Sequence, residues 1–351
     1  MIKRNHTKVV AVGKVKIGGT NKIAVQSMTK TFTSNIKATV RQIKKLEKAG
    51  CNIIRVAVPE EKSALAIKQI KKHINIPLVA DIQFNYRIAL LAIESGADKI
   101  RINPGNIGGM ERLKAVVSAA KERNIPIRIG VNSGSLEKDL LQKYRHPTAE
   151  ALVESALRNV SLLEKLDFHD IVISIKSTSV PATIDAYRAL AKKVEYPLHI
   201  GITEAGIGDS GIIKSAVGIG TLLAEGIGDT VRVSITGDPV KEVVLARQIL
   251  RSLDILNEGV DVISCPTCGR CRVNVEKIAK EIEIKTRGIK KRLKVAIMGC
   301  AVNGPGEAAD ADIGFAGGAG EGLIFRRGKI IKKVSVSRAV KEIMNEVKSL
   351  I

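Results

Sequence analysis

"DKIRINPG", residues 98–105, alternates apolar Ile100 and Ile102 with Arg101 and then closes on Asn103-Pro104-Gly105. Alternation with period two, ended by turn residues, reads as a β-strand. Seven further runs are built the same way: "KIAVQS" (22–27), "NIIRVAVP" (52–59), "IPLVADI" (76–82), "IPIRIGVN" (125–132), "DIVISIKS" (170–177), "PLHIGITE" (197–204) and "DTVRVSIT" (229–236). Longer amphipathic stretches separate them, such as "IKATVRQIKKLEKAG" (36–50) and "YRIALLAIESG" (86–96), each stopped by a glycine. Eight such units within about 250 residues predict an α/β fold opening with an N-terminal (β/α)8 TIM barrel. A doubly wound open sheet made of the same units is the rival architecture.

The pattern changes after "KEVVLARQILRSLDI" (241–255). "GVDVISC" (259–265) and "KVAIMGC" (294–300) each run a short strand into a cysteine, and the Gly-rich "GFAGGAGEG" (314–322) and the helical "SRAVKEIMNEVKSL" (337–350) follow. This predicts a barrel domain over 1–256 and a smaller α/β domain over 257–351.

The composition is that of a folded globular protein, with 26% charged and 45% hydrophobic residues. Apolar runs break at charges such as Lys214 and Glu225, short of a membrane span, and the basic N-terminus lacks a signal-like apolar block. A cytoplasmic protein is expected. Five cysteines, three of them within residues 265–271, suit reduced metal-ligating thiols better than a disulfide framework. Cys51, where a helix gives way to a strand, reads as a small buried residue. The net charge of +22 suits anionic metabolites or acidic partners. Nucleic acid is not expected, because aromatic residues for stacking are scarce, with five Phe, four Tyr and no Trp.

Barrel strands are normally apolar, yet five of these runs carry a cation inside or at the C-terminal end: Arg55, Arg101, Arg128, Lys176 and Arg232. Converging at the barrel mouth they would cage a compact, multiply charged anion, and Arg forks suit phosphate oxygens. Asp81, Asn103, Asn132, His199, Thr203, Glu204 and Ser234 stand at the same strand ends, where Glu204 could serve as proton donor, base or counter-ion. "GIGDSG" (206–211) fits a dinucleotide pattern, but it follows the seventh strand of a series rather than opening a nucleotide-binding unit.

Cys265, Cys268, Cys271 and Cys300 could close a four-thiolate zinc site. Alternatively, three thiolates and the Glu307 carboxylate could hold an iron-sulfur cluster with one exchangeable position. Spacing leaves both open.

"CPTCGR" (265–270) and "GCAVNGPGEA" (299–308), with "VQSMT", "RINPGNIG", "IPIRIGVNSGSLEKDL", "HIGITEAG" and "GIGDTVRVS", closely resemble the 4-hydroxy-3-methylbut-2-enyl diphosphate synthases of the non-mevalonate isoprenoid pathway. The likeness runs from about residue 20 to the C-terminal helix, in the short two-domain bacterial form. It implies an oxidoreductase whose barrel binds 2-C-methyl-D-erythritol 2,4-cyclodiphosphate and whose second domain carries a 4Fe-4S cluster. Carried over by position, the cluster ligands are Cys265, Cys268, Cys300 and Glu307, with Cys271 left out. The diphosphate cage includes Arg55, Arg101, Arg128, Lys176, Arg232 and Ser234. At "ADIQFNYRIAL" (80–90) the chain departs from the family, which commonly has His and Asp where Gln83 and Asn85 stand; Asp81 and Arg87 are in place.

The resemblance also implies reductive ring opening to (E)-4-hydroxy-3-methylbut-2-enyl diphosphate, with Glu204 as candidate proton donor and Glu307 yielding its place on iron. Flavodoxin or ferredoxin would supply electrons. By its charge, the basic run "RGIKKRLK" (287–294) reads either as a dock for such an acidic carrier or as a solvated surface. The implied assembly is a homodimer in which one subunit's cluster domain closes the other's barrel mouth.

Overall fold

The structure is a computed structural model that describes residues 2–300, 302, 306 and 308–351. The chain divides into two compact units, Met1–Ile255 and Leu256–Ile351.

The first unit opens with an antiparallel hairpin, β1 (Val10–Val12) and β2 (Val15–Ile17), turned at Gly13, which has φ +52°. Eight parallel strands follow: β3 (Ala24–Met28), β4 (Ile53–Ala57), β5 (Leu78–Asp81), β6 (Lys99–Ile102), β7 (Ile127–Asn132), β8 (Ile171–Lys176), β9 (His199–Ile200) and β10 (Thr230–Val231). Seven lie within the runs read from the sequence, and β3 extends one residue, Met28, past its run. They pair in the order β8-β7-β6-β5-β4-β3-β10-β9, and a parallel bridge from Ile173 to Leu198 joins the two ends. That bridge removes the free edges an open sheet would have, so the architecture is the (β/α)8 barrel.

Helices alternate with the strands and start on side-chain caps. Asn35, Thr148, Ser179 and Asp238 accept from the first-turn N–H groups of the helices they open. Gly50 and Gly96, at φ +94° and +93°, end the helices Ile36–Lys48 and Tyr86–Glu94 in the left-handed conformation a glycine tolerates. Period-two alternation sends Ile54, Ile100, Ile102, Ile127, Ile129 and Ile173 toward the helices, all fully buried. At the N-terminal end of the barrel Val10, Val12 and Ile17 pack on Ala24, Ile53, Val79 and Val172, so the hairpin forms a floor under the strands. The sequence reading took this N-terminal segment only as a basic stretch.

The second unit is a five-stranded sheet: β11 (Val260–Ser264), β12 (Leu293–Met298), β13 (Ile313–Gly317), β14 (Glu321–Arg326) and β15 (Lys329–Ser335). The first three pair in parallel and the last two add antiparallel. Helices Val275–Lys285 and Ala339–Ser349 cover one face, burying Ile278, Ile282, Ile343 and Val347 against Val295, Ile297 and Phe315. The Gly-rich stretch is a hairpin whose glycines seat aromatic rings. A Cβ at Gly314 would fall 1.9 Å from the Phe325 ring, and one at Gly322 would fall 2.3 Å from the Phe315 ring.

Candidate functional site

Inside the barrel, Asp81 of β5 stands between two guanidinium groups. Its Oδ1 accepts from Arg101 Nη1 of β6 at 3.1 Å, and its Oδ2 lies 3.6 Å from Arg55 Nε of β4. Arg101 Nη2 also donates to the Gly130 carbonyl of β7 at 3.0 Å. A Cβ at position 130 would lie 2.1 Å from Arg101 Nε, so the glycine is what lets the guanidinium lie across β7. With its amide turned to suit its neighbours, Asn132 Oδ1 accepts from Arg101 Nη2 at 3.0 Å. Arg55 Nη2 rests 2.8 Å from Met28 Sδ, and Arg128 Nη1 reaches Gln26 Oε1 at 3.4 Å.

Lys176 ends β8, buried, and Arg232 follows β10, half-buried. A Cβ at Gly201 would lie 2.4 Å from the Arg232 carbonyl oxygen and 3.3 Å from Lys176 Nζ, so that glycine permits their close approach. Arg101 Nε, Arg128 Nε, Arg232 Nε and Ser234 Oγ are buried with no hydrogen-bond partner. Buried donors are nearly always satisfied, so this converging unsatisfied set fits an anion rich in acceptor oxygens.

The other expected residues spread around this centre. Asn103 is buried, and its Oδ1 accepts from Gly105 N at 3.2 Å, closing the turn after β6. Thr203 is half-buried and Glu204 exposed in the loop after β9, with Glu204 held at φ +50°. A non-glycine residue there costs on the order of 1–3 kcal/mol and marks a geometry the surroundings impose. Gln83 and Asn85 are exposed, and Asn85 caps the helix Tyr86–Glu94 by accepting from Arg87 N at 3.0 Å. His199, expected at a strand end facing the mouth, begins β9 instead, fully buried, with Nδ1 2.7 Å from Thr230 Oγ1. Cys51 is buried, and burial pushes its thiol up to about 12.

In the second unit, Cys265 follows β11 and Cys300 follows β12, at the same end of two adjacent parallel strands. Cys265 N donates to the Ile297 carbonyl at 3.2 Å, and Gly299 N donates to Cys265 Sγ at 3.2 Å. Cys268 is exposed. Between the pair, Thr267 adopts φ +60°, a genuine outlier for a β-branched residue. Cys271 is turned inward: its Sγ donates to the Val273 carbonyl at 3.1 Å, and a Cβ at Gly299 would fall 2.5 Å from it. No disulfide joins the five cysteines. Among the described residues no three Cys, His, Asp or Glu side chains form a ready-made metal-binding group, and Glu307 lies outside the described residues. Soft sulfur donors on neighbouring strand ends, with Cys265 accepting a backbone N–H and a strained turn leading from it to Cys268, fit a thiolate-bound centre.

The family profile for the GcpE TIM-barrel domain matches residues 7–247, and that for the GcpE protein C-terminal domain matches residues 261–349. This chain belongs to the GcpE family. Among its relatives, 4-hydroxy-3-methylbut-2-en-1-yl diphosphate synthase (flavodoxin) of Caldanaerobacter subterraneus is 63% identical, covering 100% of this chain and 99% of that protein. The protein of the same name from Ruminiclostridium cellulolyticum is 58% identical, covering 99% of each. Dihydropteroate synthase from Stenotrophomonas maltophilia is a similar solved structure, with TM-score 0.51 at 12% identity over 71% of this chain and 98% of that one; it shares the barrel fold alone.

Charge crowding dominates the GcpE barrel interior. Burial would raise the Asp81 carboxyl, but Arg55, Arg101 and Arg128 together pull it below its ordinary value. Burial lowers Arg55 to about 9, with Asp81 opposing and Arg232 and Arg101 adding to the fall. Burial, then Arg232, Arg55, Arg128 and Arg101, pushes Lys176 well below its ordinary range. The sequence reading missed one cation of this interior, Lys99, which is fully buried on β6 with its Nζ unpartnered. Two residues before Arg101 on one strand, it shares that side chain's face, and this spacing was the available signal.

Proposed function

We infer that this chain is a 4-hydroxy-3-methylbut-2-en-1-yl diphosphate synthase. It reductively opens 2-C-methyl-D-erythritol 2,4-cyclodiphosphate to (E)-4-hydroxy-3-methylbut-2-enyl diphosphate. The observation that carries this is the group of Arg55, Arg101, Arg128, Lys176 and Arg232 around one carboxylate, with buried N–H groups unsatisfied. Full-length identity to synthases of that name supports it.

Arginine forks bind the diphosphate and fix the ring, and Asp81 holds Arg55 and Arg101 apart so that neither turns onto the other's oxygen. Lys176 and Ser234 orient the phosphate oxygens from β8 and from the segment after β10. A 4Fe-4S cluster on Cys265, Cys268, Cys300 and Glu307 supplies electrons one at a time when bound. Overall two electrons and two protons enter, the ring carbon–oxygen bond breaks, and one hydroxyl leaves as water. Glu204, exposed after β9 in an imposed backbone conformation, is the proposed donor of a proton to that hydroxyl.

Flavodoxin, part of the relatives' names, is the proposed electron carrier. A homodimer is proposed as well. Phe32 (87% exposed), Phe84 (67%) and Ile207 (71%) stand on loops after β3, β5 and β9, a wet apolar rim that a second copy would cover.

The test is anaerobic purification followed by metal and sulfide analysis and turnover with reduced flavodoxin. About four iron and four sulfide per chain, with conversion of the cyclodiphosphate, is the expected result. A colourless protein holding one zinc and no sulfide would reject the cluster.

A further inference from the structure

Lys99 has no part in the mechanism above. It lies on the inward face of β6, one layer nearer the hairpin floor than Arg101, fully buried, and its Nζ has no hydrogen-bond partner. The residues around it offer no counter-charge: Val79 pairs with it on β5, and Arg128 of β7, Arg55 of β4 and His199 of β9 act on it or are acted on by it. Gln26 of β3, bonded to Arg128, is neutral. Asp81 is engaged by Arg55 and Arg101, and Glu242, behind β3, faces Lys30 and Ser27.

Six cationic side chains, Arg55, Lys99, Arg101, Arg128, Lys176 and Arg232, thus share an interior with Asp81, while the charge of Glu242 reaches Arg232 and Arg55 from behind β3 but not Lys99. Burial lowers Arg55 only to about 9, because a guanidinium holds its proton more firmly than an ammonium, whereas a buried lysine gives one up readily. We propose that Lys99 is neutral before substrate arrives and takes up a proton as the diphosphate settles among the guanidinium groups, so that anion binding in this barrel is proton-coupled. Burial, then Arg128 and Arg55, drives the Lys99 ammonium well below its ordinary range, in keeping with this. The inference rests on the barrel interior being the diphosphate site.

The experiment is calorimetric titration of the holoenzyme with inorganic pyrophosphate at pH 8, in two buffers of different ionisation enthalpy. The difference between buffers gives the protons taken up per anion bound. Lys99→Arg keeps a fixed charge and Lys99→Met removes it; both should take up at least about half a proton fewer than the unmodified enzyme. Comparing the three proteins cancels any change in the ionisation of pyrophosphate itself, and because one variant fixes the charge at position 99 while the other removes it, a deficit shared by both does not come from His199, which the two variants shift in opposite directions. Equal proton counts would overturn the proposal while leaving the diphosphate site standing, whereas failure of the unmodified enzyme to bind pyrophosphate overturns both. Should neither variant fold, by circular dichroism, Lys99→Gln is titrated beside the unmodified enzyme with sulfate, which does not ionise in this range. The unmodified enzyme's affinity should fall as pH rises from 7.5 to 8.5 and the variant's should fall less; equal slopes overturn the proposal.

Discussion

Gly130 sets how Arg101 is presented. An added Cβ would lie 2.1 Å from Arg101 Nε and force the guanidinium off both Asp81 and the Gly130 carbonyl. Gly130→Ala should therefore leave the barrel folded, by circular dichroism, while weakening pyrophosphate binding by about tenfold to a hundredfold, the worth of one charge-assisted contact. The cysteines separate in the same way. Cys271 is occupied by the Val273 carbonyl and wedged against Gly299, whereas Cys268 is exposed beyond a strained Thr267. Cys271→Ser is expected to keep its iron and sulfide after anaerobic purification and Cys268→Ser to lose them. Position along a strand was readable for Arg55, Arg101 and Arg128. Lys99 was passed over because an Asp-Lys pair at the head of a run looks like a solvated strand start. The left-handed backbone at Glu204 leaves no trace in residue type.

At the scale of elements, the eight barrel strands were legible because each is a β-branched run closed by turn residues. The hairpin was not, since strands of three residues carry too little pattern and are fixed by what they cover. Val12 is fully buried in that cover, so Val12→Ala should lower unfolding free energy by about 1–3 kcal/mol in urea titration. The barrel interior also gives stability an unusual pH dependence. A lysine whose folded pKa is lowered binds fewer protons folded than unfolded, so stability rises with pH up to the ordinary lysine value of 10.5. Between pH 8 and 9.5 the anion-free protein should gain up to about 1.4 kcal/mol per pH unit for each neutral lysine, and Lys99→Met should flatten that slope. Asp81 acts at the other end: its contribution is present above the ordinary carboxylate value of 3.8 and is lost as pH falls through its depressed one.

For the whole molecule, the net charge of +22 exceeds what the barrel interior accounts for. Part of the basic run 287–294 is committed to the fold, since Lys291 donates to the Leu350 carbonyl and Arg292 to the Asn257 side chain. Arg287 and Lys290 are exposed and are the better candidates for steering an acidic carrier. Reduction by flavodoxin in stopped flow should slow as salt rises, and should slow further when Arg287→Glu is combined with Lys290→Glu, while a small chemical reductant is indifferent to both. No helix among the described residues is long and apolar enough to cross a membrane.

The hairpin floor has one more consequence. With Val10, Val12 and Ile17 sealing the lower end, the barrel is a vessel with a single opening. The water expelled in the reaction must leave past whatever still occupies the mouth. With the diphosphate product proposed to lodge among the arginines, departure is ordered as in a blind alley, water first and product after it.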